Sequence, residues 1–134
     1  MTGRYNVVIL GASGLVGQRL QELLFDHPFF QVVAIAGSPN SVGLMHEEIE
    51  WRLDSPRPNY DILVCSMSDI PDVDIAFSAL PSNVAEVVEP SLVARGIHVF
   101  SNASAFRRIA GIPLVIPEVN PEDMLSYDGH ACAT

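Results

Sequence analysis

The chain is expected to fold as α/β, with a doubly wound, mostly parallel sheet and helices on both faces. Three features of its 134 residues predict this. Val7, Val8, Ile9 and Leu10 form an apolar, largely β-branched run that ends in closely spaced glycines and enters an amphipathic segment. That order reads as strand, tight turn and helix. Further short apolar runs follow at residues 29–36, 73–80 and 97–100, with helical or polar stretches between them. Strands alternating with helices build a parallel sheet through right-handed crossovers. Finally, 49 % of the residues are hydrophobic, enough for a packed core in one domain over residues 1–134.

The first strand starts at Tyr5. A helix over Gln18 to Phe25 follows, with Leu20, Leu23 and Leu24 expected on its inner face. Pro28 ends it, because the residue before a proline is pushed out of helical geometry. Phe29 to Ala36 reads as a buried second strand, and Gly37 to Ser41 as the loop after it. Between Val42 and Pro58 the pattern is irregular, and Glu47 to Leu53 suits a short helix or a strand. Ile62 to Cys65 reads as a short strand in which Cys65 packs as a buried apolar residue. Val73 to Leu80 is the next strand. Ser82 is expected to cap a helix over Val84 to Arg95 that stops at Gly96, with Pro90 kinking or dividing it. Ile97 to Phe100 and Leu114 to Ile116 complete the expected strands.

The glycine turn carries the chemistry. Gly11, Gly14 and Gly17 fall in a G-x-x-G-x-x-G spacing between strand and helix. The first supplies the turn, the second lets the backbone approach a phosphate, and the third lets the helix sit close to the strand. The amide end of the new helix then faces an anion. A structural turn without ligand is the competing interpretation. In a doubly wound sheet, ligands bind beyond the carboxyl ends of the strands. The turns at Gly11, at Ser38, at Ser78 to Pro81 and at Ser101 to Ser104 should therefore share one edge. An NAD site places an acidic residue after the second strand to hold the ribose 2′-hydroxyl. Gly37 and Ser38 stand there instead, and Ser38 and Ser41 can donate hydrogen bonds to a 2′-phosphate, which favours NADP. Turn capping is the alternative use of these serines.

Charge narrows the partners. The net charge is −9, and all seven basic residues are arginines. Such a chain should repel nucleic acid and anionic membrane surfaces. No apolar run reaches membrane-spanning length. The first apolar run leads directly into the glycine turn, so no signal peptide is expected and the location expected is cytoplasmic. Cys65, Cys132 and the four histidines show no metal-ligand spacing.

Four motifs in order, GASGLVG, FSALPS, SNASAFR and PLVIPEVN, resemble the N-terminal half of the aspartate-semialdehyde dehydrogenase family, and EWRLDSPRP resembles its archaeal and fungal branch. The resemblance implies a Rossmann-like, NADP-binding domain. The family activity it implies is NADPH-dependent reduction of aspartyl phosphate to aspartate semialdehyde, in amino-acid biosynthesis. It places the pyrophosphate on Ser13, Gly14, Leu15 and Val16, and the 2′-phosphate near Ser38 and Ser41. Ser78, Ala79, Leu80 and Pro81 fall on the nicotinamide side. Asn102 falls near the active site, and Arg107 matches the arginine that holds the substrate phosphate. A guanidinium suits that role, since its planar fork of donors fits phosphate oxygens. The family nucleophile is a cysteine. Cys132, in a C-A-T echo of the family's C-S-T, is the candidate, although Ala131 replaces the family's asparagine before it. A tail cysteine with no role is the alternative.

The family's second half, with its histidine base and most of its dimer interface, has no counterpart in these residues. The chain alone is therefore expected to be incomplete as a catalyst. Uncovered apolar surface should make it a homo-oligomer, which a monomer in light scattering at high concentration would contradict. A stand-alone nucleotide-binding module, a structural remnant that binds nothing, and a domain like that of N-acetyl-glutamyl-phosphate reductase are the competing interpretations.

Overall fold

Val7, Val8, Ile9 and Leu10 are fully buried, so the first strand is covered on both faces. That is the signature of a central strand in a parallel sheet. The computed structural model describes residues 3–103, 112–115, 120, 122, 124, 127 and 129–132. Its elements are β1 (Tyr5–Leu10), α1 (Leu15–Leu24), β2 (Phe30–Ala36), a 3-10 turn (His46–Glu48), β3 (Ile75–Ser78), α2 (Ser82–Ala94), β4 (His98–Ser101) and β5 (His130–Cys132). They build a five-stranded sheet in the order β2-β1-β3-β4-β5. Every pairing between these strands is parallel. The chain leaves β1 to one side for β2 and returns on the other for β3, so the switch in winding direction lies between β1 and β3.

The two faces are packed differently. Val8, Leu10, Ala76 and Val99 join Ala85, Val88 and Leu92 of α2 in one cluster. Val7 and Ile9 pack with Leu24 of α1 on the other face. Beyond α1 on that face, Phe30, Phe77, Phe100 and Tyr127 form a row of rings with centroids 5.5–5.8 Å apart.

The structure adjusts the sequence reading in several places. The first helix begins at Leu15 instead of Gln18. Its buried stripe is Gly17, Gln18, Gln21 and Leu24, while Leu23 is 63 % exposed. Gly17 sets that phase. A Cβ at Gly17 would lie 1.9 Å from the Gly11 carbonyl oxygen, so this position must face the strand; Leu23 turns outward, while Leu20, partly buried, packs beside Leu24 against Val7 and Ile9. Residues 62–65 do not form a named strand. Cys65 makes one parallel bridge to Ala36, and Leu63 one antiparallel bridge to Met45. They extend the sheet edge only locally. The 47–53 stretch contributes just the end of the 3-10 turn. The second helix starts at Ser82 with Pro81 in the cap position, and it continues through Pro90. The fourth strand runs to Ser101, and β5, absent from the expected strands, pairs with it. Leu114 makes a single parallel bridge to Cys132, and Ile116 lies outside the described residues.

Candidate functional site

A cavity of about 1030 Å³ opens at the carboxyl edge of the sheet, over the switch between β1 and β3. Open α/β sheets bind their ligands in such a crevice. One wall is the glycine turn. Gly11 takes a φ of +123°, and its amide donates to the Ala36 carbonyl at 2.9 Å. Gly14 precedes α1, and no heavy atom lies within 4 Å of where its Cβ would stand. The amides of Leu15, Val16 and Gly17 come before the first intrahelical bond, which Gln18 donates to the Gly14 carbonyl at 2.9 Å. Those first-turn amides have no partner within the helix, and they sit at its positive end.

The opposite wall is the turn after β3. The Ala79 amide donates to the Leu10 carbonyl at 2.8 Å, and the Asn102 amide to the Ser78 carbonyl at 2.8 Å. The ends of β1, β3 and β4 are thereby laced together at the cavity floor.

Of the residues expected at the cofactor, Gly11, Ser13, Gly14, Val16 and Ser38 line this cavity. So do Ala79, Leu80 and Pro81, together with Asn102. Leu15 is exposed beside it, on the first turn of α1. Ser41 is buried behind Gly37, where its amide donates to the Ser38 carbonyl at 2.9 Å. Ser78 turns its hydroxyl away from the cavity toward Glu89. Cys132 is buried in β5, apart from the cavity lining. Arg107 lies outside the described residues. Ser66, Met67 and Ser68, not among the residues expected from the sequence, also line the cavity beside Ser38. Their signal was available. They follow the apolar run at 62–65, and the turn after a run paired beside β2 must reach the same edge.

Behind the glycine turn lies a buried polar support. The Gln21 side-chain amide donates to the Gly11 and Ala12 carbonyls at 3.2 and 3.1 Å. Its oxygen lies 2.7 Å from Nε2 of His46, so that nitrogen carries the proton. Nδ1 of His46 is buried without a hydrogen-bond partner. Burial and the nearby Arg57 guanidinium push His46 down from 6.5 to about 4, so it is neutral near pH 7. The Tyr60 hydroxyl donates to the Gln21 carbonyl at 2.6 Å, and burial pushes that phenol upward. Gln18, also fully buried, donates to the Glu50 carbonyl and accepts from the Arg52 amide, both at 2.7 Å. Arg57 donates to the His46 and Ile49 carbonyls and lies over the Trp51 ring at 5.8 Å. The irregular 46–60 segment is thus tied to α1 and to the turn. Among the described residues no histidine, cysteine and carboxylate group is arranged to hold a metal ion. Among them, too, no helix is long and apolar enough to cross a membrane.

Residues 6–127 match the family described as semialdehyde dehydrogenase, NAD binding domain. The chain belongs to this family. Its semialdehyde dehydrogenase relatives include the aspartate-semialdehyde dehydrogenase of Archaeoglobus fulgidus, 45 % identical over 125 residues, covering 90 % of this chain and 36 % of that protein. The enzyme of Methanothermobacter thermautotrophicus is 46 % identical over 122 residues, covering 87 % and 35 %. Among solved structures, aspartate semialdehyde dehydrogenase with NADP from Candida albicans superposes with a TM-score of 0.84 at 36 % identity, over 90 % of this chain and 36 % of that one. The chain therefore spans about a third of the length of the relatives it matches. The parallel sheet with helices on both faces is the Rossmann-like fold of such dehydrogenase domains.

Proposed function

We propose that this chain is the NADP-binding domain of an aspartate-semialdehyde dehydrogenase, one that reduces aspartyl phosphate to aspartate semialdehyde and releases phosphate. The observation that carries the reading is the meeting of the glycine turn and the Ala79 to Pro81 turn across one large cavity at the switch point. The residues present suit a dinucleotide. Open space at Gly14 leaves the backbone approachable by a pyrophosphate, and the amides from Ser13 to Val16 are the donors for it. Ser38 would hold the 2′-phosphate, and Ser41 supports that loop from behind. Ala79, Leu80 and Pro81 would form an apolar wall for the nicotinamide, with Asn102 beside it.

When bound, the cofactor supplies hydride; the chain's own residues bind it, orient it and exclude water. Arg107 is the proposed partner of the substrate phosphate. The reaction also calls for a thiolate that attacks the acyl carbon, expels phosphate and forms a thioester. Cys132 is this chain's candidate for it, and from its buried place in β5 it acts only if that end of the sheet opens. Self-association belongs to the same reading.

Calorimetric titration with NADPH and with NADH tests the proposal. NADPH binding more tightly supports it. Equal affinities remove the 2′-phosphate assignment at Ser38, and no binding of either favours a module without this cofactor.

A further inference from the structure

Glu89 is fully buried in the middle of α2, among the apolar side chains that pack on the sheet. A carboxylate in such a place must have its lone pairs filled. Its Oε2 accepts from the hydroxyls of Ser78 and Ser101, each at 2.7 Å. Its Oε1 lies 2.8 Å from Nε2 of His130. Ser78, Ser101 and His130 are themselves buried. They belong to β3, β4 and β5, so one side chain ties three neighbouring strands together.

The position of these ties matters. Ser78 ends β3 and is followed by the cavity wall, Ala79 to Pro81. Ser101 ends β4 and is followed by Asn102, another lining residue. Ser101 Oγ also accepts the Ala103 amide at 3.0 Å, which sets the turn carrying Asn102. Glu89 lies outside the cavity lining. The turn on the adenosine side, Gly37 to Pro39, is joined to Cys65 instead, through the Gly37 amide at 3.0 Å.

We infer that Glu89 is a positioning residue: through Ser78 and Ser101 it holds the nicotinamide end of the cleft in its binding geometry and leaves the adenosine end independent. This rests on the cofactor reading proposed above. Glu89→Met tests it, because methionine keeps the volume and removes both acceptors. Calorimetry would compare NADPH with adenosine 2′,5′-bisphosphate, which lacks the nicotinamide half, and thermal melting would check folding. The expected result is NADPH binding weakened about tenfold, because the turns after Ser78 and Ser101 must then be ordered on binding instead of beforehand. The bisphosphate should stay within about twofold of the unsubstituted chain. The fluorescence of bound NADPH, which reports the nicotinamide surroundings, should move toward that of free NADPH.

Glu89→Gln should restore most of the lost affinity, since its amide oxygen can still accept from both serines. Should the methionine variant fail to fold, Ser78→Ala removes a single tie, the 2.7 Å bond to Glu89, and should show the same split on a smaller scale. Parallel weakening of both ligands, or no change in either, overturns the inference. Absence of NADPH binding by the unsubstituted chain overturns the cofactor reading itself, and this inference with it.

Discussion

Gly17→Ala will destabilise the chain by about 3 kcal/mol, the upper end of what forced overpacking costs. The new methyl carbon would stand 1.9 Å from the Gly11 carbonyl oxygen and 2.8 Å from its carbon. Both belong to backbone, so no flexible side chain can yield, and α1 has to retreat from β1. The Gln21 bonds to the Gly11 and Ala12 carbonyls loosen with it. Alanine's better helix propensity, about 1 kcal/mol, offsets only part of this. Gly14→Ala is the matched contrast. Nothing lies within 4 Å of its Cβ position, and its φ of −80° suits any residue. Its stability should stay within about 0.5 kcal/mol of the parent chain. Dinucleotide affinity should nevertheless fall, because the methyl enters space a phosphate needs. Urea unfolding and ligand titration of both variants check this. Equal urea midpoints for the two would contradict the steric account.

Acid will weaken the fold through His46. In the unfolded chain this imidazole takes up a proton near pH 6.5, and in the folded chain only near pH 4. Between those values the unfolded state binds more protons, so stability falls as pH falls. The contribution is fully present above pH 6.5 and lost on descending to about 4. Its size is on the order of 3 kcal/mol. Geometry gives the cause beside burial and Arg57: a proton on Nδ1 would have no acceptor. His46→Gln keeps a donor for Gln21 and does not titrate. Urea unfolding at about pH 7.5 and about pH 5 should show a clear loss for the parent chain and a smaller one for the variant. Identical losses would mean that His46 takes no part in the acid response.

Much of this molecule was legible in the sequence because its signals are local. Val7 to Leu10 followed by Gly11 states a buried strand and its turn, and Ser38 and Ala79 to Pro81, expected at one edge of the sheet, do line one cavity. The helix phase was less legible. Leu20, Leu23 and Leu24 suggested the apolar inner face, and Leu20 and Leu24 do pack inward, yet close approach at Gly17 turned Leu23 out and put Gln18 and Gln21 inside, where backbone carbonyls and His46 satisfy them. Glu89 carried no local sign of burial, since its partners come from three strands far apart in the chain. The brief β5, residues 130–132, is defined by its pairing with β4 and by His130, neither of which a three-residue pattern announces.

In the function proposed for this chain, the crevice between the glycine turn and the Ala79 turn holds the dinucleotide. Backbone amide chemical shifts of the isotope-labelled chain, followed during an NADPH titration, locate the bound ligand residue by residue. The largest shifts are expected at Gly11 to Gly17, at Gly37 and Ser38, and at Ala79 and Leu80, with small ones at Tyr5 and Phe30 on the far edge of the sheet. Shifts confined to that far edge, or none anywhere, would contradict that placement.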